Sequence, residues 1–145
     1  MSRFVVSAVF AVACSLLSGS AQAQYAGNMD DTWQSVLRRW VGNGWKPFHE
    51  GGYNFQAPSM DGRRFGAGLR AGEPVTFVAI CGNCTTVRLI VRDASNTVLV
   101  DVTPRSGPST ASLTPRQTSA GSIQLIPIEC RRDTCPVRYT SFTPR

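Results

Sequence analysis

Histidine is almost missing from this chain. His49 is the only one in 145 residues, and Glu50 beside it does not complete a triad. The G-x-S-x-G nucleophile elbow is absent, and so is a glycine loop that could cradle phosphate. Ser106, Ser109 and Ser112 fall in a stretch crowded with Ser, Thr and Pro, which is loop composition. The acidic side chains number 9 (Asp30, Asp31, Glu50, Asp61, Glu73, Asp93, Asp101, Glu129 and Asp133), and no spacing among them marks out a glycosidase dyad. A non-catalytic role is therefore expected. The alternative is a secreted hydrolase, or a module associated with one, working through an unrecognised carboxylate pair or through His49. No cofactor and no metal site are expected. No internal repeat or second domain is visible.

A long apolar run is also lacking. Phe4 to Leu17 is too short for a membrane span, which needs about 20 residues. With Arg3 before it and Ala21-Gln22-Ala23 after it, the run reads as an export signal, residues 1–23, leaving no transmembrane span in the mature chain. Ala11-Val12-Ala13-Cys14 loosely resembles a lipoprotein processing box, with Ala11 where leucine is usual; lipid anchoring through Cys14 is the alternative. The expected location is the periplasm or the outside.

The formal charge is +6, spread over arginines that never form a block. An exported chain meets little nucleic acid, so none is expected as a partner. The charge would suit an anionic envelope polymer, a lipid headgroup or an envelope protein, but ordinary solubility is the favoured explanation.

What the sequence does contain divides into two periodicities. Trp33, Val36, Leu37, Trp40 and Val41 recur at steps of three and four, which predicts an amphipathic helix within an N-terminal segment, residues 24–45. Asp30 and Asp31 sit at its start, Arg38 and Arg39 in its last turn and Gly42 beyond it, as the helix dipole and caps favour. Its apolar face could lie on the rest of the domain, on a partner or on a membrane surface, with the first the default.

Residues 46–145 carry short runs rich in Val, Ile, Thr, Phe and Tyr, separated by Gly, Pro, Asn and Asp. Strands are expected near 52–57, 63–70, 74–81, 85–92, 97–103, 109–114, 121–130 and 135–142. Val87, Leu89 and Val91 alternate with Arg88, Ile90 and Arg92, the period of two of a half-buried strand. The reading is a mainly β chain: an antiparallel, jelly-roll-like β-sandwich of about eight strands with one preceding helix.

Four cysteines follow the signal: Cys81, Cys84, Cys130 and Cys135. After export they read as two disulfides, with three possible connectivities. Zinc spacing is passable but needs reduced thiolates. A redox centre would want a helix after Cys84, where the sequence runs into strand. The local pairing, Cys81–Cys84 and Cys130–Cys135, is expected, the second across a hairpin tip at Arg131-Arg132-Asp133-Thr134.

Leu69-Arg70-Ala71-Gly72, the apolar run Val75 to Ile80, the strand Val87 to Arg92, the turn Asp93-Ala94-Ser95-Asn96 and Asp101 together resemble the bacterial pre-peptidase C-terminal-type domains, over roughly residues 62–142. That resemblance implies a small secreted β-sandwich, appended to peptidases or standing alone. Some members bind calcium through aspartates after the paired-cysteine turn. This chain has Thr85, Thr86 and Arg88 there, so no calcium site carries over. Asp93 and Asp101 are expected to form a turn and end a strand.

Aromatic residues gather early, at Trp33, Trp40, Trp45, Phe48, Tyr53 and Phe55. Trp33 and Trp40 are expected in the core. Trp45, Lys46 and Phe48, with Arg88 and Arg92, form the candidate binding surface, since aromatics beside cations can stack on glycan rings or hold a protein.

Overall fold

A computed structural model describes residues 28–145, so the export signal and Cys14 lie outside the described residues. One helix, α1 (Met29–Gly42), precedes nine strands: β1 (Trp45–Pro47), β2 (Tyr53–Pro58), β3 (Arg63–Leu69), β4 (Val75–Cys81), β5 (Thr86–Arg92), β6 (Val98–Val102), β7 (Ser109–Leu113), β8 (Ser119–Ile128) and β9 (Thr134–Pro144). They form two antiparallel sheets, face to face. In the first, β9 pairs with β4 on one side and with β1 and β2 on the other, and β4 pairs with β7. The second runs β3-β8-β5-β6. The expected β-sandwich is the observed one. The strand not foreseen is β1, three residues long and ending in proline, too short to carry a period.

Each sheet buries one face against the other. Phe77 and Ala79 of β4 and Val137 of β9 meet Val87, Leu89 and Val91 of β5 and Ile123 and Leu125 of β8 in one core. Such a side chain contributes about 1.5–3 kcal/mol when fully withdrawn from water. β4 is buried along its whole length because its other face is covered as well. There Val78, Ile80 and Phe142 meet Trp33 and Val36 of α1. Trp40 stacks on Phe142 at 5.6 Å, and Trp45 meets Trp40 edge-on at 5.4 Å.

The helix thus lies on its own domain. Its cap is Asn28, whose Oδ1 accepts from the Asp30 amide, and Gly42 is its last residue rather than the one beyond it. The Trp33 indole N–H donates to the Glu50 carbonyl at 2.8 Å. Arg138 of β9 lies over the Trp33 ring and pairs with Asp30 at 2.8 Å, tying helix to sheet.

No helix among the described residues is long and apolar enough to cross a membrane. Among the described residues no further element covers the outer face of the second sheet. Ile90 and Ile126 stay buried there between the half-buried Arg88, Arg92 and Gln124, whose stems cover them.

Candidate functional site: an open cleft between the sheets

The chemistry-bearing residues separate toward the two ends of the sandwich. At one end stand the cysteines, joined as expected: Cys81 to Cys84 with Cα atoms 6.0 Å apart, and Cys130 to Cys135 at 5.8 Å. Two disulfides are the mark of an oxidising compartment. The setting of the second bridge differs from the expectation. β8 lies in the second sheet and β9 in the first, so Cys130 and Cys135 span a crossover between sheets and not a hairpin. Cys81 and Cys84 bridge the corresponding crossover from β4 to β5. Hairpin tips and inter-sheet corners share the same polar, turn-forming composition, so sequence does not separate them.

At the opposite end, where β3 and β9 finish and β2 and β4 begin, the sheets leave an open cleft of about 810 Å³. Its wall on the first sheet follows from period-two geometry. Tyr53 pairs with Tyr139, Ala79 with Tyr139 and Phe77 with Ser141, so these side chains share the inward face. Thr143 continues that row, and Phe48 stands at its edge. The opposite wall is β3 at Gly66–Gly68, the free edge strand of the second sheet. The β3–β4 loop closes the floor with Arg70 and Glu73, 3.9 Å apart.

Tyr53 and Tyr139 of the cleft belong to an aromatic ladder that runs on beyond its lining. His49 packs on Tyr53 at 5.0 Å, Tyr53 on Tyr139 at 5.5 Å and Tyr139 on Phe65 at 5.2 Å, with Phe55 against Phe65 at 4.8 Å. The ladder grades from buried to wet: Phe55, Phe65 and Tyr139 are half-buried and Tyr53 is 41% exposed, while Phe48, outside the ladder, is 78% exposed. Burial, with Tyr53 adding to it, raises the Tyr139 pKa, so its hydroxyl stays neutral and able to donate.

Phe48 is exposed but not loosely held. Its amide donates to the Ser141 carbonyl at 2.8 Å, and the His49 amide to Thr140 Oγ1 at 3.2 Å. Gly52 closes this loop with a φ of 69°, and a Cβ there would collide with the Trp33 ring and the Arg138 stem. The loop is thereby set from beneath by the helix and its tryptophan.

The five candidate binding residues do not form one surface. Phe48 lines the cleft, and Lys46, opposite Thr143, leaves the same sheet face. Trp45 packs on the helix side. Arg88 and Arg92 lie on the outer face of the second sheet, where Arg88 pairs with Asp101 at 2.5 Å and Arg92 donates to Gln124 at 2.8 Å. Asp101 sits within β6, held by that arginine, rather than ending the strand. The bond to Arg88 holds the Asp101 carboxyl below its usual range. Asp93 does form the foreseen turn, accepting from the Ser95 and Thr97 amides at 2.9 Å.

Sequence reasoning missed Tyr139, Ser141 and Thr143, although their alternation with Thr140 and Phe142 puts a polar and aromatic row opposite a buried one. A smaller hollow of about 580 Å³, between the β5–β6 turn and the β7–β8 loop, has no aromatic lining.

No family model matches the chain. No curated protein matches it either. Among solved structures, one described as "CBM4 structure and function" is 16% identical, with a TM-score of 0.41 over 72% of this chain and 96% of that one. A structure of infectious bursal disease virus Gx strain is 12% identical, TM-score 0.35, over 63% of this chain and 28% of that one. The acidic stable capsid structure of Helicobacter pylori bacteriophage KHP30 is 12% identical, TM-score 0.32, over 68% of this chain and 92% of that one. These are likenesses of fold and carry nothing about ligand.

Proposed function

We propose that this chain is an exported, non-catalytic β-sandwich of the cell envelope, periplasmic in location, that holds an envelope component in the cleft at the end of the sandwich opposite its disulfides. The observation carrying this reading is the pinned, outward-facing Phe48 beside Tyr53 and Tyr139. A ring held in water by a fixed backbone forgoes burial unless a ligand covers it. A concave site of several hundred Å³ with aromatic walls and a few polar groups is the usual form of a small-ligand or chain-binding site. Support for export comes from the signal-like residues 1–23 and from the two disulfides. The resemblance to pre-peptidase C-terminal-type domains fits an accessory role of this kind.

Co-sedimentation of the oxidised protein with isolated peptidoglycan sacculi and with envelope vesicles tests the proposal. Retention is expected, and Phe48→Ala with Tyr53→Ala should abolish it while the far-sheet variant Arg92→Gln leaves it intact. Retention in neither fraction, or retention indifferent to the cleft variants, would refute the proposal. Turnover of a peptidase, esterase or glycosidase substrate that vanishes in His49→Ala would put a hydrolase in its place.

A further inference from the structure

Building on the binding role assigned to the cleft, we infer that its ligand is an uncharged carbohydrate chain, with a pyranose ring laid against Phe48 and Tyr53 and its hydroxyls met by Ser141, Thr143 and the Arg70–Glu73 pair.

The charge of the lining points this way first. Although the chain carries a formal charge of +6, the charged side chains lining the cleft are Arg70 and Glu73, which offset each other, with Lys46 on the same sheet face at its margin. An anionic polymer or headgroup would gain little from a lining whose two charges cancel. Most of the cationic surplus lies elsewhere, as at Arg92 on the far face of the second sheet.

The arrangement of polar and apolar groups points the same way. A sugar ring presents a face of C–H groups and a rim of hydroxyls that both donate and accept. The cleft offers flat rings on one side, and around them hydroxyls that can do either, a guanidinium that only donates and a carboxylate that only accepts. Arg70 and Glu73 are 75% and 60% exposed, so they are free to turn toward adjacent hydroxyls rather than being committed to each other. A lipid chain would need an enclosed apolar tunnel, and this cleft is open, with the hydroxyls of Tyr53, Tyr139, Ser141 and Thr143 set among its apolar walls. An extended peptide would be gripped through the free edge of β3, by backbone hydrogen bonds that do not require the rings.

Calorimetric and NMR titration of the oxidised protein with the tetrasaccharides of β-1,4-glucose, β-1,4-N-acetylglucosamine and α-1,4-glucose tests the assignment. At least one should saturate, moving the resonances of Tyr53, Tyr139 and Ser141. Phe48→Ala or Tyr53→Ala should weaken binding tenfold or more, and Ser141→Ala less. Raising salt from about 50 mM to about 500 mM should leave the affinity unchanged, because an uncharged ligand has nothing to screen. Saturation by none of the three, while sacculi or vesicles are still held through the cleft, overturns the sugar assignment and leaves the binding role standing. A salt-induced collapse of binding overturns it too. So does an extended peptide that occupies the cleft and remains bound in Phe48→Ala.

Discussion

At one end of the sandwich three chain reversals crowd around two disulfides; at the other, the same strands part around a cleft lined with rings and hydroxyls. The stapled end is dense with backbone that side chains resist. Met60, Asn83 and Glu129, three of the four non-glycine residues with positive φ among the described residues, sit in its three turns. Each such residue costs about 1–3 kcal/mol and persists only where its surroundings impose it. Here they do: the Ser59 amide donates to the Asp133 carbonyl, Met60 to Pro127 and Arg131 to Asn83, all at 3.0–3.1 Å. The cleft end spends its side chains differently, leaving Phe48 and Tyr53 in water. One end holds the strands in register, and the other is thereby free to expose groups that a marginal fold could not leave uncovered.

The largest effect that would test this division is expected at Gly62, at the stapled end. Its φ is 69°, and a Cβ would meet the Leu125 carbonyl. Gly62→Ala should therefore lose about 3 kcal/mol in denaturant unfolding. Next comes replacement of both Cys130 and Cys135 by alanine, expected to lower stability by about 2 kcal/mol for so short a loop. A larger loss of binding than of stability in that variant would show that the two ends are coupled.

Alkaline pH gives a smaller effect. The folded pKa of Tyr139 is raised, so the stability this contributes is complete below the ordinary tyrosine pKa of about 10 and is lost as pH rises through the folded value. Tyr139→Phe keeps the packing and should flatten that alkaline limb of the thermal-melt profile. At acid pH the sign reverses. Asp101 is lowered by its bond to Arg88, so its contribution is present above the ordinary carboxylate range and fades as pH falls through the lowered value. Asp101→Asn should reduce the acid slope slightly, since the pair is partly exposed and screened. The smallest change in stability belongs to Phe48→Ala, within about 0.5 kcal/mol of the parent. A large loss there would mean that Phe48 serves the fold and would remove the division between the ends.

How much of this was legible in the chain follows from how local each signal is. The strand from Val87 to Arg92 declares itself by alternation, and Val75–Cys81 by an apolar run that only a strand covered on both faces would need. The helix is equally readable, because its stripe lies within twelve consecutive residues. The three-residue β1 has no period to detect. Whether Cys130 and Cys135 close a hairpin or a crossover depends on sheet membership, which is set by pairings far away in sequence. The cleft is harder still. It is assembled from residue 48, residue 53, the segment 66–77, Ile123 and the end of β9, and no single window contains a motif for it. The aromatic grouping from Trp45 to Phe55 was visible in sequence, but which rings would turn inward was decided by the pairing of β2 with β9.

The strand β9 carries a further consequence. It is hydrogen-bonded to β1, β2 and β4 at once, yet among the described residues it is the last strand in chain order. As the polypeptide leaves the ribosome, the first sheet has flanks without a middle until residues 134–144 emerge, and most of its pairings are distant in sequence. Such an architecture assembles slowly and late. The chain accordingly cannot complete its first sheet until residues 134–144 are available, whatever its second sheet has already formed.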